Sequence, residues 1–143
     1  MKKAFKKIKY SALNARQKEN FNFQWISGAL ATYGFHTHRV PDDWEGADLI
    51  ARHMQSGIQL KVQLKGRIHF AKKYTGKKIW IAFRYGENGY CYPHDKLLAQ
   101  YKKINSLRIN KAWQRNKKEV HWGRPTKAQM KLLEPYKISL AFG

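Results

Sequence analysis

Acidic residues are rare in this chain, and four of them lie close together. The sequence has 143 residues with 29 Lys and Arg but only nine Asp and Glu, so its formal net charge is +20. Asp42, Asp43, Glu45 and Asp48 place four of these nine within seven positions. In so basic a chain, such carboxylates can hold a divalent cation that bridges protein and phosphate. They equally fit an acidic turn on the opposite surface, where Asp and Gly serve backbone geometry.

A second polar group follows across a predicted hairpin. Asp48 stands where the chain enters the apolar run 49–51, and the turn at 55–57 brings a second strand back beside that run. On the second strand Gln63 and Lys65 are two positions apart, so they share one face. This register predicts that both side chains lie beside Asp48. Polar residues on the outward face of a strand are also ordinary.

A further carboxylate lies on the first predicted helix. Glu19 is two helical turns before Ile26, so it follows the apolar stripe that contains Phe23 and Leu30. Charged side chains seldom occupy such a stripe without a reason. Two interpretations are open: Glu19 joins the site of Asp48, or it lies near the helix start, where a carboxylate favours the dipole and reaches water.

Asp48 and the Gln63-Leu64-Lys65 triplet, joined by a hairpin and preceded by a helix, resemble the PD-(D/E)XK nuclease family. The resemblance covers residues 12–101, read as a helix, three strands, a further strand and a second helix. It implies a restriction-endonuclease-like core and a metal-dependent DNA endonuclease.

The resemblance also implies a role for each matching residue. Asp48 would bind Mg²⁺, with Mn²⁺ as the alternative ion, and Gln63, the Leu64 carbonyl and Glu19 would complete the ligands. Lys65 would orient the attacking water or stabilise developing negative charge. The sequence departs from the family at Gln63, where a carboxylate is usual, although some members, including certain homing endonucleases, have a Gln-x-Lys version. A Gln oxygen can coordinate Mg²⁺ but brings no negative charge, so affinity for the ion should fall.

Hydrophobic periodicity predicts the elements that position these residues. We expect a helix over 12–33, a strand over 35–40, an acidic and turn-rich stretch over 41–48, and hairpin strands over 49–51 and 58–65. Further expected elements are strands at 79–83 and 89–92, a short helix at 95–101, and a helix from Thr126 to Leu133 that Pro135 ends. This order indicates an α/β fold with a central mixed sheet flanked by helices. Residues 1–11, with five Lys, would form a basic arm, and 12–143 a single nuclease-like domain.

The net charge and a sequence pI of about 10.2 indicate a nucleic-acid partner, since neutralising phosphates releases condensed counterions. DNA is expected from the family resemblance alone, and RNA is not excluded. A homodimer would allow cleavage of both strands of a duplex. The residues expected to contact the nucleic-acid backbone are Lys61, Arg67, Lys72, Lys73, Lys77, Lys78, Arg108, Lys111 and Arg115. Each of these stretches also fits a solvated surface.

Other classes have less support in the sequence. A clean amphipathic helix, a lipidation signal and a signal peptide are not evident, and Cys91 stands alone, so we expect a cytoplasmic protein without a membrane partner. His36 and His38 share a strand face but lack further ligands at zinc spacing. A Gly-rich phosphate loop is missing, which argues against an ATPase. Two alternatives to an enzyme remain: a binding module of the same fold whose Gln63 marks a lost active site, and a basic RNA-associated protein.

Overall fold

The N-terminal helix has a reciprocal cap at its start. In this computed structural model, which describes residues 1–143 except for the side chains of residues 42 and 43, helix α1 spans Ala15–Ala31. The Asn14 side chain accepts the Gln17 backbone N–H at 2.8 Å, and the Gln17 side chain accepts the Asn14 N–H at 2.9 Å. The helix therefore begins later than the predicted residue 12, because a capping Asn takes an extended backbone. Gly34, with φ of +88°, reverses the chain after the helix.

Eight strands follow or interleave with the helices of the described chain. In chain order they are β1 Phe35–Trp44, β2 Ala47–His53, β3 Gln59–Leu64, β4 Ile68–Ala71, β5 Ile79–Tyr85, β6 Asn88–Pro93, β7 Glu119–Trp122 and β8 Lys137–Ile138. Six of them form one sheet in the order β1-β2-β3-β5-β6-β8, and β4 pairs with β7 in a second sheet. Strands β3 and β5 are parallel, whereas the other neighbours are antiparallel. The prediction of a mixed sheet is therefore confirmed.

The hairpin of β2 and β3 has the predicted pairing. Leu49 lies opposite Val62, and both are fully buried against α1. Gly57, with φ of +74°, lies in the connecting turn, where a left-handed backbone favours glycine. One step beyond the last registered pair, Asp48 comes to the end of β3.

The acidic stretch over 41–48 is not the turn-rich interlude that the sequence predicted. Strand β1 continues to Trp44, and the turn is confined to Glu45 and Gly46, with φ of +51° and +83°. Two successive positive φ angles match the twist of a two-residue hairpin, which is why a short turn suffices. Pairing with β2 shifts between Arg39 and Trp44, so four β1 residues bulge opposite Asp48. The side chains of Asp42 and Asp43 lie outside the described residues.

The connection from β3 to the parallel β5 contains a strand that the sequence did not predict. All four residues of β4 are buried, and β4 pairs with β7 near the other end of the chain. A short strand with no polar alternation has no period that sequence analysis can detect. The stretch after Lys65 is therefore part of the core as well as a basic surface.

Two further helices complete the chain. Helix α2 spans His94–Trp113, with a non-helical residue, Asn105, inside it, and is much longer than the predicted 95–101. The sequence missed its second half because that half is mostly exposed and lacks a clear apolar stripe. Helix α3 spans Lys127–Leu133 and starts at Thr126 in a second capping box, as predicted.

Apolar side chains cover both faces of the six-stranded sheet. Ile26 and Leu30 of α1 pack on one face. Leu97 and Ile109 of α2 pack on the other face, together with the buried strand β4. The chain thus forms an α/β domain with a mixed sheet and helices on both sides, and none of its described helices is long and apolar enough to cross a membrane.

Candidate functional site

A cavity of about 590 Å³ opens where the start of α1 meets β1, β2 and the end of β3. Its walls carry both signs of charge, and the described residues that line it are Glu19, Asn22, Arg39, Val40, Asp48, Leu64, Lys65 and Gly66. Four residues singled out by the sequence are therefore brought together: the carboxylates Glu19 and Asp48, Lys65, and Leu64 at the end of β3.

Asp48 is held to the neighbouring strand by its side chain. The Leu64 backbone N–H donates to Asp48 Oδ2 at 2.8 Å. The contact lies where the β2–β3 register ends, and the bulge in β1 lies opposite. Asp48 is half-buried. A strand terminus and a main-chain hydrogen bond together fix the carboxylate better than a loop would.

Lys65 directly follows β3 and is fixed from two sides. Its backbone N–H donates to the Ala82 carbonyl at 2.9 Å, which continues the β3–β5 pairing. Its Nζ lies 5.5 Å from the centre of the Tyr74 ring, and Tyr74 is only 4% exposed. A lysine ammonium over an aromatic face is attracted by the ring quadrupole. The half-buried Lys65 therefore carries its charge at a defined place in the cavity wall.

Glu19 lies at the first turns of α1, where its side chain is exposed. It reaches water, as one of the two sequence interpretations requires. It also lines the cavity that contains Asp48, as the other interpretation requires. The apolar contacts of α1 come instead from Ile26, Ala29 and Leu30.

Gln63 is placed differently from the other predicted residues. It is half-buried on β3, where it pairs with Ile81 of β5. It is not among the described residues that line the cavity. Its role as a metal ligand stays a prediction.

A buried histidine anchors the segment that carries Tyr74. His94 Nε2 accepts the Ala71 N–H at 3.0 Å, so the ring proton is on Nδ1, which donates to Asp95 Oδ1 at 2.9 Å. Asp95 Oδ2 in turn accepts the Gly76 N–H at 2.9 Å. Burial lowers the pKa of His94, and the Asp95 contact opposes this only in part. The neutral His94 ring thus holds one end of the Tyr74 segment to α2, and Asp95 holds the other end.

His69 lies on β4, close enough to Lys65 to be affected by its charge. Burial, followed by the charge of Lys65, lowers the pKa of His69 to about 3. Its ring is stacked with that of His121 at 6.0 Å between centres, and its Nε2 lies 3.5 Å from Glu119 Oε2 without hydrogen-bond geometry. His69 is therefore neutral near pH 7 and adds no charge beside Lys65.

The basic residues predicted to contact nucleic acid are dispersed around the fold. Lys61, Lys77 and Lys78 line a separate cavity of about 450 Å³, where Lys61 Nζ is 3.4 Å from Glu45. Arg67 Nη1 lies 3.3 Å from His121 Nδ1, and Lys73 Nζ lies 5.2 Å from the Tyr74 ring.

The remaining predicted contacts lie on the short helical turn after β4 or at the end of α2. Lys72 is exposed on that turn, and Lys111 and Arg115 are exposed at or beyond the end of α2. Arg108 is half-buried, with its guanidinium 5.4 Å from the centre of the Trp122 ring. None of the nine predicted contacts is among the described lining residues of the 590 Å³ cavity.

Four of the described lining residues were missed by sequence reasoning, and two of them, Arg39 and Asn22, have polar side chains. Arg39 packs its guanidinium 3.9 Å from the centre of the Phe23 ring. Asn22 accepts from Arg84 Nε at 3.4 Å and donates to the Tyr10 hydroxyl at 3.1 Å. The available signal for Arg39 was its place near the end of the strand predicted over 35–40, just before the acidic stretch. Asn22 had no signal beyond its distance of one turn from Glu19.

Among the described residues, no group of three or more His, Cys, Asp or Glu side chains is arranged to hold a metal ion. Comparisons with protein-family models, with curated proteins and with solved structures find no match to this chain. The fold and the cavity define an α/β domain with a cleft of mixed charge.

Proposed function

We propose that the chain is a metal-dependent DNA endonuclease with a PD-(D/E)XK-like site on a restriction-endonuclease-like core. One observation carries the proposal: Glu19 of α1, Asp48 of β2 and Lys65, which directly follows β3, line one cavity. Carboxylates in a cleft can hold a divalent cation, and a lysine beside them can stabilise the negative charge that develops when a phosphodiester is hydrolysed. The net charge of +20 supplies attraction for the polyanion.

The donor chemistry of the cleft suits Mg²⁺ or Mn²⁺. Both carboxylates offer hard oxygens, and Mg²⁺ commonly uses one or two protein carboxylates while it keeps several waters. Asp48, Glu19 and the Leu64 carbonyl would hold the ion. When bound, it would supply positive charge at the phosphate and lower the pKa of a water molecule. Two carboxylates are fewer than a closed metal site has, so we expect weak binding without substrate.

Asp48 and Lys65 would have different roles in the reaction. Asp48, fixed by the Leu64 N–H, keeps the ligand geometry in place before substrate arrives. Lys65, fixed over Tyr74, presents its ammonium to the phosphate oxygens as negative charge develops on them. The backbone of Lys65 is held in place because it continues the β3–β5 pairing.

Substrate class is tested by cleavage of end-labelled duplex DNA, single-stranded DNA and RNA of one sequence, each with Mg²⁺ and with EDTA. We expect metal-dependent cuts inside a DNA strand. Cleavage of RNA alone would mean that the protein is a ribonuclease and not a DNA endonuclease. An absence of cuts in all three substrates with Mg²⁺ and Mn²⁺ would reject the nuclease.

Gln63→Glu tests whether position 63 is a ligand. A second strand carboxylate should tighten Mn²⁺ binding and raise cleavage at limiting Mg²⁺, since a carboxylate adds the negative charge that Gln lacks. Isothermal titration with Mn²⁺ alone measures the first effect. Gln59→Glu is the matched control, because Gln59 is exposed on the same strand and outside the described cavity lining. Equal Mn²⁺ affinity in both variants would remove Gln63 from the ligand set.

The net charge predicts a steep salt dependence of DNA binding. Each phosphate contacted should contribute about 0.9 to the log–log slope of affinity against salt concentration for duplex DNA. Fluorescence anisotropy with a labelled duplex in EDTA measures this slope without cleavage. Affinity that barely changes between low and physiological salt would contradict a phosphate-dominated interface.

A binding module is the second candidate, and Gln63 is the observation that favours it. A site with Gln in place of a carboxylate has less charge with which to hold a metal ion. Tight DNA binding without cleavage by the wild type, under every metal condition above, is the result that this candidate predicts.

A further inference from the structure

The cleft does not end at Glu19 and Arg39. These two residues also line a second cavity, of about 980 Å³, at the start of α1. The other described lining residues of this outer cavity are Asn14, Ala15, Arg16, Gln17 and Asn20. Because the two cavities share a boundary, they form one groove that runs from Lys65 to the first turn of α1.

Arg39 is fixed at the junction of this groove. Its guanidinium carbon lies 3.9 Å from the centre of the Phe23 ring, and its Nη2 donates to Asn20 Oδ1 at 3.5 Å. An aromatic ring against a guanidinium limits its movement without using its N–H donors. The β1 bulge begins directly after Arg39. An exposed arginine oriented in this way is suited to grip a phosphate by two hydrogen bonds.

The outer cavity is polar and basic. Arg16 and Arg39 carry its positive charge, and Glu19, at the boundary with the inner cleft, is the acidic residue among its described lining residues. The capping box at the helix start occupies the N–H groups of Asn14 and Gln17. The charged donors that the cavity offers to a ligand are the side chains of Arg16 and Arg39. With Ala15 as the apolar residue of the described lining, the cavity offers little to an unpaired base and more to a phosphate.

We propose that this outer cavity is a second phosphate-binding subsite, in which Arg39 and Arg16 contact a backbone phosphate beside the one held in the cleft. The proposal rests on the proposed function, since it extends the same nucleic-acid strand beyond Asp48 and Lys65. It places the strand over the start of α1, and away from the lysines at 61, 77 and 78 that the sequence favoured.

The test measures binding of a labelled DNA duplex in EDTA over a range of salt concentrations. Arg39→Gln should lower the affinity several-fold and reduce the salt slope by about 1, as expected for one lost phosphate contact. Arg52→Gln is the matched control, because Arg52 is an exposed arginine on the adjacent strand β2 and lies outside all the described cavity linings. Arg16→Gln, at an exposed position, should act in the same direction as Arg39→Gln even if the latter lowers the melting temperature.

The outcomes separate the subsite from the nuclease. Slopes of Arg39→Gln and Arg16→Gln that equal that of Arg52→Gln would overturn the subsite, even if the wild type cleaves DNA. Reduced slopes in both variants would support the subsite, even if the wild type cleaves nothing, because binding in EDTA requires no cleavage.

Discussion

Replacing Asp48 with Asn should abolish metal-dependent cleavage while leaving DNA binding in EDTA intact or tighter. Asp48 lies on β2, and its carboxylate accepts the N–H of Leu64 at the end of β3. The side-chain amide oxygen of Asn can accept the same hydrogen bond. The variant therefore removes charge with little change of shape. DNA binding should not weaken and could tighten, because the substitution removes a negative charge from the cleft that is proposed to bind phosphate. Cleavage of a labelled duplex and anisotropy in EDTA measure the two effects.

Glu45→Gln provides the matched control for Asp48→Asn. Glu45 belongs to the same acidic stretch, but it lies in the β1–β2 turn beside Lys61 and lines a different cavity. It should keep wild-type cleavage. Full activity in Asp48→Asn would remove Asp48 from the site and with it the metal proposal.

Replacing Lys65 with Ala should lower the cleavage rate about 10²-fold or more and weaken DNA binding only slightly. Groups that stabilise developing charge in a preorganised site typically contribute a factor of this size. One phosphate contact among many is a small part of the binding affinity. Single-turnover cleavage at saturating enzyme separates the rate from the affinity.

Lys73→Ala is the control for Lys65→Ala. Both lysines lie over the Tyr74 ring, with Nζ at 5.5 Å for Lys65 and 5.2 Å for Lys73, but only Lys65 is among the described lining residues of the cleft. Each variant removes one positive charge that lies over the Tyr74 ring. Equal cleavage rates in the two variants would mean that Lys65 contributes only to the overall positive charge of the protein.

The hairpin that carries Asp48 could be predicted from the sequence because it is formed by residues that are close together in the chain. Strict alternation over 58–65 and a glycine turn determine the register, and the structure pairs Leu49 with Val62 accordingly. The capped start of α3 at Thr126 was visible for the same reason. Local patterns of this kind do not depend on distant parts of the chain.

The parts that the sequence missed depend on contacts between distant segments. Strand β4 is a strand because β7, about fifty residues later, pairs with it, and four buried residues show no alternation. The groove past Arg39 exists because α1 packs beside β1, where Arg39 contacts Phe23 and Asn20 of the helix. Neither the stacking on Phe23 nor the separation of Lys61 from the cleft has a signature in residue spacing.

Conversion of supercoiled plasmid by the wild type and by Asp48→Asn, each with Mg²⁺, with Mn²⁺ and with EDTA, tests the proposed nuclease most directly. We expect nicked or linear plasmid only from the wild type and only with a metal ion. Plasmid left intact by the wild type with both ions, or cut equally by Asp48→Asn, would contradict it.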